Sequence, residues 1–335
     1  KRQSYDMERA KVLVTGANSL LGVNTIRALL TEGYAVRGLL RNRATYVGAA
    51  DSNLELVEGN FTDPHCLEQV MAGCRYVVHC AAKTGQSGTV EAYRQINITA
   101  TERLIHTAVR CGIRRAVYVG SANMFAYGDE IHPGDESAPI KYPFTESAYA
   151  RSKFEAWQEI TSYLAQIEIM AVCPTFMLGA YDSRPSSGKI IRMSYGKRWM
   201  LYPPGGKNFV HVADVARGIV AALQRGENGA CYLLANENLS YRDFFRIVGT
   251  LSDKKTTLIP CPKWLLMTLG KIGDVLRRAG VDTELSSTNM RILCVKNYYT
   301  NLKSVRQLGI TYQPAAQAVK DTIAWFRENR PENLR

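Results

Sequence analysis

The chain has 335 residues, of which 46% are hydrophobic and 21% charged. This ordinary globular balance excludes wholesale disorder and allows two or three domains. The net charge of +12 comes from 42 basic and 30 acidic residues; they are scattered rather than blocked, which points away from nucleic acid and toward phosphate-bearing small molecules. No run approaches about 18 apolar residues. The polar start, Lys1 to Lys11, lacks an apolar signal core, so the sequence reads as cytoplasmic. Eight cysteines without a Cys-x-x-Cys pair, and five histidines without ligand spacing, fit a reducing compartment with no disulfide framework and no metal site.

In chain order, the β-rich runs Lys11 to Thr15, Ala35 to Leu40, Leu54 to Glu58, Tyr76 to His79, Ala116 to Val119 and Glu168 to Val172 read as strands. Between them, Leu21 to Thr31, Pro64 to Met71, Val90 to Arg110 and Ala148 to Ala165 carry apolar residues at helical spacing. Strands alternating with helices predict an α/β fold, a doubly wound parallel sheet covered on both faces. Its ligand crevice lies beyond the carboxyl ends of the strands. After Pro174 the rhythm loosens, with Gly and Pro clustered at Gly179 to Gly188 and Pro203 to Gly206. The expected division is a dinucleotide-binding domain over residues 10–175 and a smaller, mostly helical substrate region over 176–330, whose chain is free to re-enter the sheet.

Val12 to Gly22 reads as an apolar strand, a glycine turn and a helix start. Gly16 permits the tight turn and Gly22 lets the helix pack close to the strand. Backbone N–H groups of the Asn18, Ser19, Leu20 and Leu21 stretch then face a pyrophosphate, helped by the helix dipole. Ser19 stands where a middle glycine is usual; its hydroxyl can donate to phosphate, but the residue is strained if φ is positive there. The plain alternative is an ordinary turn between strand and helix. An NAD-type site needs an acid near the end of the second strand, and Val36 to Arg43 has none. Arg41 and Arg43 can instead clamp a 2′-phosphate, which favours NADP(H) over NAD(H); the alternative is that both arginines are merely solvated.

Tyr149-Ala150-Arg151-Ser152-Lys153 opens a helical stretch, so Tyr149 and Lys153 share one face. A nearby ammonium favours the phenolate and lowers a tyrosine pKa from its ordinary value of about 10. Ser121 follows the fifth strand, and Asn97 lies in the helix before it. With these residues the chain resembles the extended short-chain dehydrogenase/reductases, the NAD(P)-dependent epimerase/dehydratase group. Within it, the likeness is to dihydroflavonol-4-reductase-like and 3β-hydroxysteroid-dehydrogenase-like proteins and to hopanoid-associated sugar epimerases. It rests on Thr15-Gly16 to Gly22, Val78 to Ala82, Asn97, Ser121, Tyr149 to Lys153, Cys173-Pro174-Thr175, Asp182 to Gly188 and Asn208 to Ala216.

The resemblance implies that Tyr149 is the general acid/base, that Lys153 lowers its pKa and binds the nicotinamide ribose, and that Ser121 hydrogen-bonds the substrate oxygen. Asn97 would hold the neighbouring helix and a relay water. Arg41 falls on the 2′-phosphate arginine, Asn60 where relatives accept from the adenine amino group, and Phe61, Ala81, Ala82 and Pro174 along the cofactor path. The implied function is NADP(H)-dependent hydride transfer between nicotinamide and a ketone or secondary alcohol, with a polycyclic or aromatic small-molecule substrate. Lys207-Asn208 in place of Arg-Asp, and Cys173 to Phe176 in place of Arg-x-x-Asn, point away from nucleotide-sugars. The rivals are a nucleotide-sugar epimerase or dehydratase with tightly bound NAD(P), and a non-catalytic dinucleotide-binding redox sensor. The apolar, basic-flanked stretch Lys263 to Arg278 is expected to pack over the crevice, with contact to an anionic membrane surface as its alternative. A homodimer through Val90 to Arg110 and Ala148 to Ala165 completes the expectations.

Overall fold

A computed structural model describes residues 10–85, 88–252 and 254–334; most of the polar start Lys1 to Lys11 lies outside the described residues. The chain runs β1 (Lys11–Thr15), α1 (Leu20–Thr31), β2 (Ala35–Leu40), β3 (Leu54–Glu58), α2 (Pro64–Met71), β4 (Tyr76–His79), α3 (Val90–Tyr93), α4 (Ala100–Arg110), β5 (Arg115–Val119), α5 (Ala148–Ile160) and β6 (Glu168–Pro174). It continues through β7 (Phe176–Leu178), α6 (Lys189–Ser194), β8 (Trp199–Tyr202), β9 (Gly206–His211), α7 (Val212–Arg225), β10 (Cys231–Leu234), β11 (Glu237–Ser240) and α8 (Tyr241–Thr250). Then come β12 (Thr257–Pro260), α9 (Lys263–Arg278), α10 (Ser287–Ile292), β13 (Lys296–Asn297), α11 (Leu302–Leu308) and α12 (Ala315–Asn329).

Seven parallel strands form the main sheet in the order β10-β6-β5-β4-β1-β2-β3. The chain order reverses between β1 and β4, so the loops after those two strands flank the crevice. Residues of the central strands are buried on both faces. Val12, Val14, Val78 and Val117 belong to one apolar layer, and Leu13, Val77, Ala116 and Ile169 to the other. Such two-sided burial is what continuous Val/Leu/Ile runs demand. Residues from beyond Pro174 return to this layer: β10 is the edge strand beside β6, and α7 packs against α1.

The Val90 to Arg110 stretch is not one regular helix. A π-helical segment, Arg94–Thr99, separates α3 from α4 and carries Asn97. The Ala148 to Ala165 stretch ends as α5 at Ile160 and continues as a 3₁₀ turn, Thr161–Tyr163. Beyond β6, short strands accompany the helices: β11, β9 and β13 with β7 make a four-stranded sheet, and β8 pairs with β12. A third apolar cluster built on Phe209, Phe244, Phe245, Ile323 and Phe326 supports this region. Among the described residues, no helix is long and apolar enough to cross a membrane.

Candidate active site

The turn after β1 is shaped by two glycines. Gly16 has φ +68°, and a Cβ there would lie 3.0 Å from the Ala81 backbone, so a side chain would meet both left-handed strain and the neighbouring loop. At Gly22 an added Cβ would fall 2.1 Å from the Gly16 carbonyl oxygen. Ser19, by contrast, is relaxed at φ −84° and caps α1, its hydroxyl oxygen accepting from the Gly22 N–H at 2.9 Å. The strain anticipated for a serine is therefore absent, and the hydroxyl hydrogen remains free to donate. These features make a narrow, backbone-lined cradle at a helix N-terminus, which fits a dinucleotide pyrophosphate.

The neighbouring strand ends supply the rest of the groove. After β2, Arg41 and Arg43 are exposed. The Arg43 N–H is held by Glu58, and Asn18 donates to Thr45 at 2.5 Å, so the loop that carries both arginines is fixed to its surroundings. After β3, Asn60 is exposed, and its amide oxygen already accepts from the Thr62 N–H at 3.1 Å. Phe61 lies against the His79 ring, 5.2 Å between centres. Ala81 and Ala82 follow β4, and Pro174 ends β6.

Ser147 caps α5, and the first turns of that helix carry Tyr149, Ser152 and Lys153. Ser121 is the hydrogen-bonding side chain that faces the Tyr149 phenol. Burial pushes the Tyr149 phenol up to about 12, and the Ser121 contact is the influence that opposes it. Lys153 is buried, and its ammonium donates to the Val119 carbonyl at 2.7 Å while lying 4.8 Å from the centre of the Tyr118 ring. Burial lowers it to about 8. The lowering of Tyr149 by Lys153 inferred from their spacing is thus not what this geometry gives. Helical spacing brings the two residues to one face, but the ammonium is turned toward the end of β5.

Asn97 holds the site together. Its amide oxygen accepts from the Lys83 N–H at 2.8 Å, and its nitrogen donates to the Lys83 carbonyl at 3.0 Å and to Ser152 Oγ at 2.9 Å. Ser152 Oγ in turn donates to the Tyr149 carbonyl at 2.8 Å. The loop after β4 and the helix carrying Tyr149 are therefore joined through one buried amide, presented by the π-helical distortion. Beneath Lys153, His79 bridges the Thr15 and Thr101 hydroxyls at 2.8 and 3.0 Å. Burial, then the charge of Lys153, lowers His79 to about 3, so it stays neutral.

Three residues without an assigned role in the sequence reading join this site. Ser152 relays Asn97 to Tyr149, as described. Asn297 donates to the Asn123 side-chain oxygen at 3.2 Å, two residues after Ser121, while its own Oδ1 is buried without a partner. Its register neighbour Lys207 is lowered to about 8 by burial and lies 4.5 Å from the centre of the Phe176 ring. A cavity of about 160 Å³ opens beside Tyr149, walled by Val90, Tyr93, Arg277, Ser286 and Asn289. A wider depression of about 520 Å³ between α1 and α7 shares none of these residues. The late motif is structural: His211 caps α7 and reaches Asp321, and buried Asp214 holds Gln313 and Arg217.

The family model described as "NAD dependent epimerase/dehydratase family" matches residues 12–235, more than half of the chain. The chain belongs to that family. It is a family of the extended short-chain dehydrogenase/reductase type. A Synechocystis protein that carries dihydroflavonol 4-reductase as a provisional name is 29% identical over 325 residues, covering 94% of both chains. Sterol demethylase protein B of Methylococcus capsulatus is 26% identical, covering 94% of this chain and 98% of its own. The crystal structure of gox2253 superposes with a TM-score of 0.81 at 27% identity, covering 95% of this chain and 98% of that one. The protein is an NAD(P)-dependent enzyme with a nicotinamide dinucleotide as its cofactor.

Proposed function

We propose that this enzyme is an NADP(H)-dependent oxidoreductase that interconverts a ketone and a secondary alcohol on a lipophilic, ring-bearing substrate. The observation that carries the reading is the pairing of half-buried Tyr149 with buried Ser121 at the edge of the sheet, with Lys153 one turn along the same helix. A hydroxyl pair of this kind can hold one substrate oxygen and pass it a proton. Gly16, Asn18, Ser19, Leu20, Leu21 and Gly22 would hold the pyrophosphate, Arg41 and Arg43 the 2′-phosphate, and Lys153 the nicotinamide ribose. When bound, the nicotinamide supplies or takes up the hydride.

In the reductive direction Tyr149 donates its proton to the substrate oxygen and Ser121 holds that oxygen in place. Asn97 and Ser152 keep the Tyr149 backbone at its station. Lys207 and Asn297 meet the remainder of the substrate, one with a charge and the other with an unpaired carbonyl oxygen. The relatives named for dihydroflavonol and sterol chemistry support a ring-bearing substrate.

The test is loss of NADPH absorbance with flavanonols, steroid ketones and nucleotide-sugars, run beside Tyr149→Phe. The expected result is oxidation of NADPH by a free ketone, about 10²-fold or more slower in the variant, with NADH the poorer donor. Conversion of a nucleotide-sugar with no net cofactor change would instead establish the epimerase rival.

A further inference from the structure

An amphipathic helix on a globular enzyme ordinarily turns its apolar stripe inward. α9 does the reverse. Its buried positions are Leu266, Gly270 and Gly273. A Cβ at Gly270 would lie 2.8 Å from Ser287 Cα, and one at Gly273 would lie 2.4 Å from the Leu285 carbonyl oxygen. The helix is therefore seated on its small residues, backbone against backbone. The opposite arc is apolar and open to solvent: Trp264 is 69% exposed, Val275 62% and Ile272 49%, with Leu269 and Leu276 beside them. At about 100° per residue these positions fall within roughly 140° of one another. The packing over the crevice expected from the sequence is not what this face does.

The β8–β12 pair leads directly into α9 and carries exposed apolar residues of its own. Leu201 and Ile259 are register partners, Trp199 lies two residues before Leu201, and all three are exposed. Period-two alternation places them on one side of the pair. The charge around this surface is one-sided. From Lys254 to Glu284 the chain carries Lys254, Lys255, Lys263, Lys271, Arg277 and Arg278 against Asp274, Asp282 and Glu284, and Glu284 is paired with Lys189. Lys271 and Arg278 follow Trp264 at intervals of seven, so they border the apolar arc along one edge.

We infer that α9 and the β8–β12 pair dock on the surface of an anionic lipid bilayer. An exposed apolar arc with a tryptophan and a basic margin, beside a strand pair that exposes a second tryptophan, is the makeup of a surface that lies in the headgroup boundary. A second copy of this chain would bring one basic margin against another, whereas anionic headgroups neutralise it. The arrangement also joins the surface to the chemistry, because Arg277 of α9 walls the cavity beside Tyr149. Delivery of a lipophilic substrate through that wall rests on the function proposed above; the docking itself rests on the exposed apolar residues of α9 and the β8–β12 pair and on the charge around them.

The experiment is flotation of the full chain with vesicles of phosphatidylcholine, and of phosphatidylcholine mixed in equal parts with phosphatidylglycerol. The protein is expected to float with the anionic vesicles and not with the neutral ones, with a blue shift in tryptophan emission. Lys271→Gln with Arg278→Gln should weaken binding about thirtyfold, and high salt should weaken the parent similarly. Trp264→Ser with Val275→Ser should abolish flotation while NADPH binding and the far-ultraviolet circular dichroism stay unchanged, since both side chains are exposed. No flotation with either vesicle, or flotation unaffected by these substitutions, overturns the inference. So does a parent that sediments as a dimer and becomes monomeric on Trp264→Ser, because the face would then belong to a second copy. Failure of every ketone assay alongside normal flotation would strike the proposed function and leave the docking standing.

Discussion

His79 links the stability of the sheet to pH. It is 1% exposed between the Thr15 and Thr101 hydroxyls, and burial holds it at about 3 against an ordinary 6.5. Because the folded value is the lower one, the unfolded chain takes up the proton first. The associated stability is fully present above about pH 6.5 and is lost as the pH falls toward about 3. Taking both values at face, the loss between pH 7 and pH 5 is about 2 kcal/mol. The assay is the urea midpoint at those two pH values for the parent and for His79→Gln, which retains a donor and an acceptor but cannot charge. Groups such as Glu136 and Asp182, raised by their own burial, titrate identically in both proteins and cancel in the comparison. The parent should lose about 2 kcal/mol more than the variant; parallel losses would refute the assignment of a neutral, buried imidazole.

Gly16→Ala forces a Cβ into a residue at φ +68° and against the Ala81 backbone, a strain of about 1–2 kcal/mol; NADPH affinity by fluorescence titration should fall about tenfold, and an unchanged affinity would remove the cradle from the site. Asn97→Ala strands both backbone polar groups of Lys83 and frees Ser152, at about 2–4 kcal/mol. Its denaturation midpoint should drop accordingly and kcat should fall with it, whereas a loss of stability with full kcat would limit Asn97 to a structural role.

The sheet was legible because its signals are local and repeated. Apolar runs such as Val12 to Val14 must be strands buried on both faces, and the helices between them carry their own spacing. Ser147 before Tyr149 is a helix cap that any sequence reading can find. The π-helical segment was hidden, since Arg94 to Thr99 keeps an amphipathic pattern and the distortion pays off only in the three bonds made by Asn97. Asn297 was illegible for another reason: it reaches Asn123 across 174 residues of chain, and a two-residue strand, β13, has no periodicity to detect. The exposed face of α9 misled because a hydrophobic stripe announces burial by default; only Gly270 and Gly273, read as a contact surface, carry the opposite message.

Spacing correctly placed Tyr149 and Lys153 on one face but could not say where the ammonium points. With Lys153 on the Val119 carbonyl, the phenol sits at about 12, so at pH 7 only about one molecule in 10⁵ carries the phenolate. Reduction, which needs the neutral phenol as acid, meets no such penalty. Oxidation of the alcohol needs the base form, and its kcat/KM should rise close to tenfold per unit from about pH 6 to about pH 8. Above about pH 8 Lys153 loses its own charge, so the rise should flatten and the reductive rate should begin to fall. If oxidation instead levels off near neutrality, the phenol titrates several units lower in the working complex. Lys153 must then have left Val119 for the ribose and the tyrosine, and the same Tyr-x-x-x-Lys spacing would describe two electrostatic states, one buried and acid-ready, the other charged and base-ready.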